Sequence, residues 1–453
     1  MSKSSTAAMS EDFQAAKFKK MTEEPVDKLI LELAVPTIAS MLITSIYNMA
    51  DTYFVGKIGT SATGAVGVIF PLMTLIQAVG FLFGHGSGNY MARQMGAQKV
   101  KECNEMASTG FFWSLIGGFL IMAFGLIFSG PLVTALGATD TIRPYALDYM
   151  FYILFGAPIM TASFTLNNQL RFQGNAFYGM IGIMTGGILN IVLDPVFIFA
   201  FGFGVAGAAM ATSLSQLISF VILVVFTNKK SIPLSIKNVR FNLHYVKEIL
   251  RGGLPSLFRQ GCNSLSFVFL NHTVGIYGDA AIAAMTVVQR IVNFAFSAML
   301  GYGQGFQPVC GFNFGAKKYD RVKKGVSFCV KSSLIALIIF AALGVVFAPN
   351  LVAAFRDDPD VIEIGVRTLR WQCLTFPLLG WVTICNMLTQ TIGYTVRASI
   401  LATSRQFLFF IPCLYLLSAA FGLTGIECTQ SAADIISFVV SVFIGVDVLR
   451  KMK

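Results

Sequence analysis

Two acidic residues stand inside apolar sequence, each with an amide one helical turn before it. Asn48 precedes Asp51 by three residues and Asn190 precedes Asp194 by four, so in a helix each pair shares a face. Pro195 follows Asp194 directly; it cannot donate a backbone hydrogen bond, which frees a carbonyl one turn earlier and can kink a helix. Thr212 brings a hydroxyl from the next apolar stretch. A carboxylate near the bilayer centre costs roughly 2.5–3.5 kcal/mol on insertion scales, so an acid kept there needs compensation. Two carboxylates, an amide and a hydroxyl from three helices can coordinate a hard cation such as sodium or accept a proton. A plainer reading stays open, with Asp51 a partly wet helix-end residue and Asp194 an intramembrane hydrogen-bonder.

These side chains need membrane helices to hold them, and composition supplies those helices. The chain has 453 residues, of which 55% are hydrophobic and 12% charged, too apolar for a set of soluble domains. Runs of about 20 apolar residues, long enough for a ~30 Å hydrocarbon core, recur throughout. The expected spans are 29–55, 61–91, 107–129, 144–168, 177–201, 205–227, 249–276, 280–310, 325–348, 363–390, 396–418 and 422–448. The fold class is therefore all-α integral membrane, with about twelve transmembrane helices, six in each half.

The halves are copies of one pattern. Phe83-Gly84-His85-Gly86 and Gly96-Ala97 return as Tyr302-Gly303-Gln304-Gly305 and Gly315-Ala316 at a constant offset of 219 (303 − 84). The same offset takes Pro36 to Pro255, Gly56 to Gly275, Gly59 to Gly278 and Ala65 to Ala284, while Asp51 maps onto Leu270. An even number of spans per half gives both copies one orientation, related by an axis along the membrane normal, as in transporters built from parallel repeats. Lys17, Lys19, Lys20 and Lys28 precede the first span, and Arg93, Lys99 and Lys101 follow the second. Lys229, Lys230, Lys237, Arg240 and Lys247 join the halves; Lys317, Lys318, Arg321, Lys323 and Lys324 follow the eighth span, and Arg450, Lys451 and Lys453 come last. The alternate loops carry acids, such as Asp140, Asp357, Asp358 and Asp360. The positive-inside rule then places both termini in the cytoplasm, in a multi-pass protein of the plasma (inner) membrane. The net charge of +11 is a topology signal rather than a nucleic-acid footprint. The expected organisation is a polar cytoplasmic segment 1–24 with no cleaved signal, an N-lobe 25–228, a cytoplasmic linker 229–248, a C-lobe 249–450 and a tail 451–453.

Several chemistries are disfavoured. The eight cysteines have no metal-ligand spacing, and packing suits most of them better. The Gly84-His85-Gly86-Ser87-Gly88 run lacks the Lys-Ser/Thr of a phosphate loop, and its repetition points to close helix packing or a hinge. Without an ATP-binding cassette, active transport would draw on an ion gradient. A membrane prenyltransferase would need carboxylates at short spacing, and Asn190 to Asp194 holds one. No ion filter marks a channel. The chain is read as a transporter rather than an enzyme, without a cofactor beyond its coupling ion.

On these residues the chain resembles the multidrug and toxic compound extrusion (MATE) family. The likeness covers essentially all of 25–450 and is most specific at Pro36 with the Tyr-Asn-Met-Ala-Asp-Thr-Tyr-Phe-Val-Gly run at 47–56. The Gly-Asn-Tyr-Met-Ala-Arg-Gln-Met-Gly-Ala run at 88–97 and Leu-Asn-Ile-Val-Leu-Asp-Pro at 189–195 carry it further. The resemblance implies a V-shaped pair of six-helix bundles exporting amphipathic, usually cationic, drugs in exchange for protons or sodium. It places the N-lobe cation site on Asp51, Asn190, Asp194 and Thr212, which would be the metal ligands if sodium couples. Pro36 falls where the first helix is expected to bend, with Asn48 and Pro195 in support. Other members have an acid in the seventh helix; here the position eight residues after Pro255 is Asn263, so coupling is expected in the N-lobe.

The C-half has its own polar residues, namely Arg259 and Gln260, Gln289 and Arg290, and Arg405 and Gln406. Buried arginines either snorkel and bond helix carbonyls or line a cavity. Gln289, Arg290, Arg259 and Gln260 are thus substrate-cavity candidates, and a cationic cavity would favour anionic or lipid-linked substrates moved by a flippase-like exporter. The expected partners are amphipathic small molecules and the bilayer, with no nucleic acid and a monomeric carrier.

Overall fold

Long apolar runs in a medium without water must satisfy their backbone groups internally, and they do so as helices. The computed structural model describes residues 16–230, 232–356 and 358–452; most of the expected segment 1–24, Asp357 and Lys453 lie outside the described residues. The first half folds as α1 (Val26–Gly56), α2 (Thr60–Gly96), α3 (Val100–Ile127), α4 (Arg143–Phe172), α5 (Ala176–Pro195, continued by the π-helical Val196–Ala200) and α6 (Gly204–Lys230). The second folds as α7 (Leu243–Val274), α8 (Asp279–Gly315), α9 (Tyr319–Val346) and α10 (Pro359–Thr391). Next comes α11, which begins as Thr395–Thr403 and passes through a π-helical Ser404–Leu408 into the helix Phe410–Lys451. Gly422, at φ +60°, breaks that last helix, so α11 ends at 421 and α12 spans 423–451.

Among the described residues, ten helices are long and apolar enough to cross a membrane by length and composition. The expected twelve are recovered because α11 and α12 count there as one, and because α7 is too polar on average to qualify, with Arg259, Gln260, Asn263, Asn271 and His272 in its span. This is an all-α, multi-pass membrane fold. Lipid-directed faces are apolar, as at Phe119, Leu120, Phe124 and Ile127 on α3.

The duplication is visible in the backbone. Most residues with positive φ pair off at the sequence offset, among them Gly59 with Gly278, Gln98 with Lys317, and Gly174 with Gly393. Beyond the π-helical segment of α11 the offset becomes 220, pairing Gly202 with Gly422 (422 − 202). One extra residue in a helix is what a π-bulge accommodates. The repeat-related α4 and α10 are the most buried spans, 72% and 78% over their apolar windows, and act as the central post of their own half.

The chain divides into two compact units. The first holds everything up to Gly253 together with Gln304–Gly325 and Thr391–Gly393; the second holds Leu254–Gly303, Val326–Gln390 and Tyr394–Lys453. The C-terminal end of α8 thus belongs to the first unit. A Cβ on Gly96 would strike the Phe312 carbonyl, one on Gly315 the Arg93 carbonyl, one on Gly305 the Ala34 backbone and one on Gly86 the Ile249 carbonyl. Small residues permit this backbone-to-backbone approach. Arg93 reinforces it by donating to Glu248 at 3.0 Å and to the Thr391 carbonyl at 2.6 Å. The linker and the start of α7 are strapped to α3 where Arg240 and Tyr245, respectively, donate to Glu105, at 3.0 and 2.6 Å.

Candidate functional site

Asp51, Asn190, Asp194 and Thr212 come together inside the first unit, supplied by α1, α5 and α6. The odd-numbered helices α1 and α5 run parallel, and Gly187 lets α5 close onto Ile43 and Tyr47 of α1, where an added Cβ would lie 2.8 and 3.2 Å away. About two turns further on, Asp194 faces Asp51 within electrostatic reach. Both acids are buried, Asp51 at 6% and Asp194 at 0% exposure. Asn190 Nδ2 donates to Asp194 Oδ1 at 3.2 Å and to Thr212 Oγ1 at 3.1 Å, so one amide ties the acid of α5 to the hydroxyl of α6. Pro195 ends the α-helical part of α5 and the chain continues as a π-turn.

Sequence reading missed Tyr149. Its hydroxyl, buried on α4, donates to Asp51 Oδ2 at 3.3 Å and feels Asp194 as well. An isolated tyrosine in an apolar span carries no local signal of that role. Asp51 Oδ1, Asn190 Oδ1 and Asp194 Oδ2 are buried and have no hydrogen-bond partner among the described residues. Leaving a buried acceptor unmade costs about 1–3 kcal/mol, more for a charged group, so three in one cluster amount to a standing demand for a cation or a proton. The donor set is all oxygen and suits sodium by chemistry. Among the described residues no three His, Cys, Asp or Glu side chains gather as a transition-metal site would require.

A small pocket, partly open to one side, lies beside the cluster. It is lined by Tyr47, Asn48, Phe70, Met73, Thr74, Ile76, Gln77, Met160, Phe164, Thr212 and Gln216, an apolar wall with a few amides. Thr212 belongs to both, and Tyr47 and Asn48 lie on the same face of α1 as Asp51. Pro36 is buried within α1, and the Ser40 hydroxyl donates to its carbonyl at 2.9 Å.

The counterpart positions in the second unit carry apolar residues. Leu270, in place of Asp51, packs with Phe410 and Leu414, which the offset of 220 sets at the positions of Asn190 and Asp194. The C-half candidates have separate surroundings among the described residues. Gln289 lines a small pocket with Asn263, Ser266 and Gln406, and Arg290 is exposed. Arg259 donates to Asn386 Oδ1 at 3.3 Å, and Gln260 is half-buried beside it in sequence.

The MatE family model matches the chain twice, over residues 36–196 and 255–416, its two starts separated by the same 219 residues (255 − 36). The chain belongs to the MatE family. Among MatE relatives, the multidrug export protein MepA of Staphylococcus haemolyticus (strain JCSC1435) is 26% identical over 425 residues, covering 93% of this chain and 94% of MepA. An outward-facing multidrug resistance MATE family transporter of the MOP superfamily superposes with a TM-score of 0.90 at 26% identity, over 96% of this chain and 98% of that one. A MOP superfamily transporter from Pyrococcus furiosus Vc1, described as having a binding pocket of reversed polarity that suggests a different function, superposes with a TM-score of 0.91 at 25% identity and the same coverage. The MatE fold thus spans both units, and the chain is a membrane transporter of a multidrug-export family.

Proposed function

We propose that this MatE transporter is an antiporter that exports amphipathic small molecules across the plasma membrane in exchange for protons or sodium, with its coupling site on Asp51, Asn190, Asp194 and Thr212. The observation that carries this reading is the set of three buried, undonated oxygens of Asp51, Asn190 and Asp194 in one cluster. A substrate enters the pocket beside Thr212 while the acids are empty, its apolar body against Phe70, Met73 and Phe164 and its polar end toward Asn48, Gln77 and Gln216. Ion binding at Asp51 and Asp194 draws on α1, which also carries Tyr47 and Asn48 of the pocket wall, and Pro36 gives α1 a place to bend. The pocket changes shape and substrate affinity falls. Linkage makes this reciprocal: bound substrate weakens ion binding by the same factor, and tight simultaneous occupancy would contradict the scheme. Both termini face the cytoplasm in this reading.

The competing reading, an exporter of anionic or lipid-linked substrates, draws on the C-half arginines. It has less support because Arg259 is already engaged by Asn386 and Arg405 by Asp434. Efflux of a cationic dye and of an anionic lipid-linked substrate, compared in proteoliposomes under imposed ion gradients, separates the two. Gradient-driven movement of the dye supports the antiporter; movement of the anionic substrate alone would replace it.

A further inference from the structure

The second unit contains a buried ion pair that the proposed coupling cycle does not use. Arg405 Nε on α11 donates to Asp434 Oδ1 on α12 at 2.7 Å, with the two residues 7% and 1% exposed. Gln430 Nε2, four residues before Asp434, donates to the same oxygen at 2.9 Å. Thr375 Oγ1 of α10 donates to Oδ2 at 3.3 Å. From α8, the ring of Phe296 stacks under the guanidinium with its centroid 4.5 Å away. Among the described residues, Arg405 of α11 is the charged group bonded to Asp434, with Thr375 of α10 and Gln430 of α12 completing the carboxylate's contacts and Phe296 of α8 backing the guanidinium.

The chemistry repeats that of the first unit. There, an amide four residues before a buried acid, with a threonine from a neighbouring helix, forms the Asn190, Asp194 and Thr212 group. Here the same three functional groups are Gln430, Asp434 and Thr375. The difference is the occupant. Arg405 lies in the π-helical Ser404–Leu408 segment, across which the repeat offset steps from 219 to 220. The corresponding first-half positions are Gly186 (405 − 219) and Leu214 (434 − 220), so neither charge has a counterpart. Single-turn π-bulges recur where a helix must re-aim a side chain for function.

We propose that Arg405 is a tethered cation, permanently filling a carboxylate–amide–hydroxyl site on Asp434, Gln430 and Thr375 that without it takes a small exchangeable monovalent cation, sodium or a proton. A guanidinium cannot give up its charge in a protein, so the second unit is held in a cation-loaded arrangement while the first unit loads and unloads. The inference builds on the reading that the first-unit acids take an exchangeable ion, and its test is made independent of that reading by disabling those acids and measuring stability instead of transport.

The test starts from purified protein carrying Asp51→Asn and Asp194→Asn. Its melting temperature is followed against sodium, replaced by N-methylglucamine at constant ionic strength, and separately against pH. Adding Arg405→Met should create a sodium- or proton-dependent rise of roughly 2–4 °C, because a ligand that binds only the folded state stabilises it. Further addition of Asp434→Asn should abolish that rise. A variant with Arg405→Met that ignores both cations, or that responds equally with Asp434→Asn, overturns the proposal. If Arg405→Met alone yields no folded protein, the Arg405→Met, Asp434→Asn pair decides. Recovery of the parent melting temperature traces the loss to an uncompensated carboxylate site and supports the proposal. Failure to recover makes Arg405 a packing strut and overturns it.

Discussion

Asp51, Asn190, Asp194 and Thr212 were legible as candidates for one cluster because polar groups in lipid are costly and therefore conspicuous in apolar sequence. Tyr149 was not, since a tyrosine in a membrane span is ordinary until its hydroxyl is seen to donate to Asp51. Arg171 and His85 were equally silent, yet Arg171 is buried with its guanidinium 3.1 Å from His85 Nε2 and 2.6 Å from Asn168 Oδ1, and it also donates to Gln304. At this scale the account predicts that Tyr149→Phe leaves the protein folded but tightens its apparent affinity for the coupling ion. A hydrogen bond to a charged group is worth about 1.5–3 kcal/mol, so the change should be on the order of tenfold, read as the ion concentration for half-maximal dye exchange. An unchanged half-maximal concentration would remove Tyr149 from the site. Asn190→Leu, which deletes the bridge between Asp194 and Thr212, should reduce gradient-driven efflux by more than about tenfold, with near-normal efflux as the contradicting result.

Helices were readable from hydropathy except where charge or continuity obscured them. The sequence places α7 at 249–276 by its apolar core, and the structure starts it at Leu243 because its first turns are charged and pack beneath α2 and α3. The π-helical insertion in α11 had no sequence signature, as one extra residue in a duplicated pattern hides within the uncertainty of alignment. The glycines of α2 and α8 were legible as packing positions, though the partner of each was not. Gly315→Leu tests that seam directly. A side chain forced against the Arg93 carbonyl overpacks the contact at a cost of about 1–3 kcal/mol. Hydrogen–deuterium exchange should rise at the C-terminal ends of α2 and α8, and dye efflux should fall. Wild-type exchange there would mean that the glycines are incidental.

For the molecule as a whole, duplication was the strongest sequence signal, and the backbone repeats it down to the left-handed residues Gln98 and Lys317. What the repeat could not reveal is how far the halves diverge chemically: one unit presents undonated oxygens, and the other fills the equivalent place with Leu270, Phe410 and Leu414. The coupling account therefore predicts no transfer of function between halves. Leu270→Asp in an Asp51→Asn chain should fail to restore transport, because Phe410 and Leu414 stand where Asn190 and Asp194 complete the first-unit cluster, and should lower stability by about 1–3 kcal/mol, since it sets an acid against that apolar packing. Restored exchange in that double variant would show that the two sites are interchangeable.

The central claim, that acids of the first unit couple export to an ion gradient, is tested most directly by efflux of a fluorescent cationic dye from proteoliposomes. Proton and sodium gradients are imposed separately, for the unsubstituted chain and for Asp51→Asn, with folding checked for both. The account predicts efflux driven by one of the two gradients and lost in Asp51→Asn while the variant stays folded. Efflux of undiminished rate in folded Asp51→Asn, under the gradient that drives the unsubstituted chain, would contradict it.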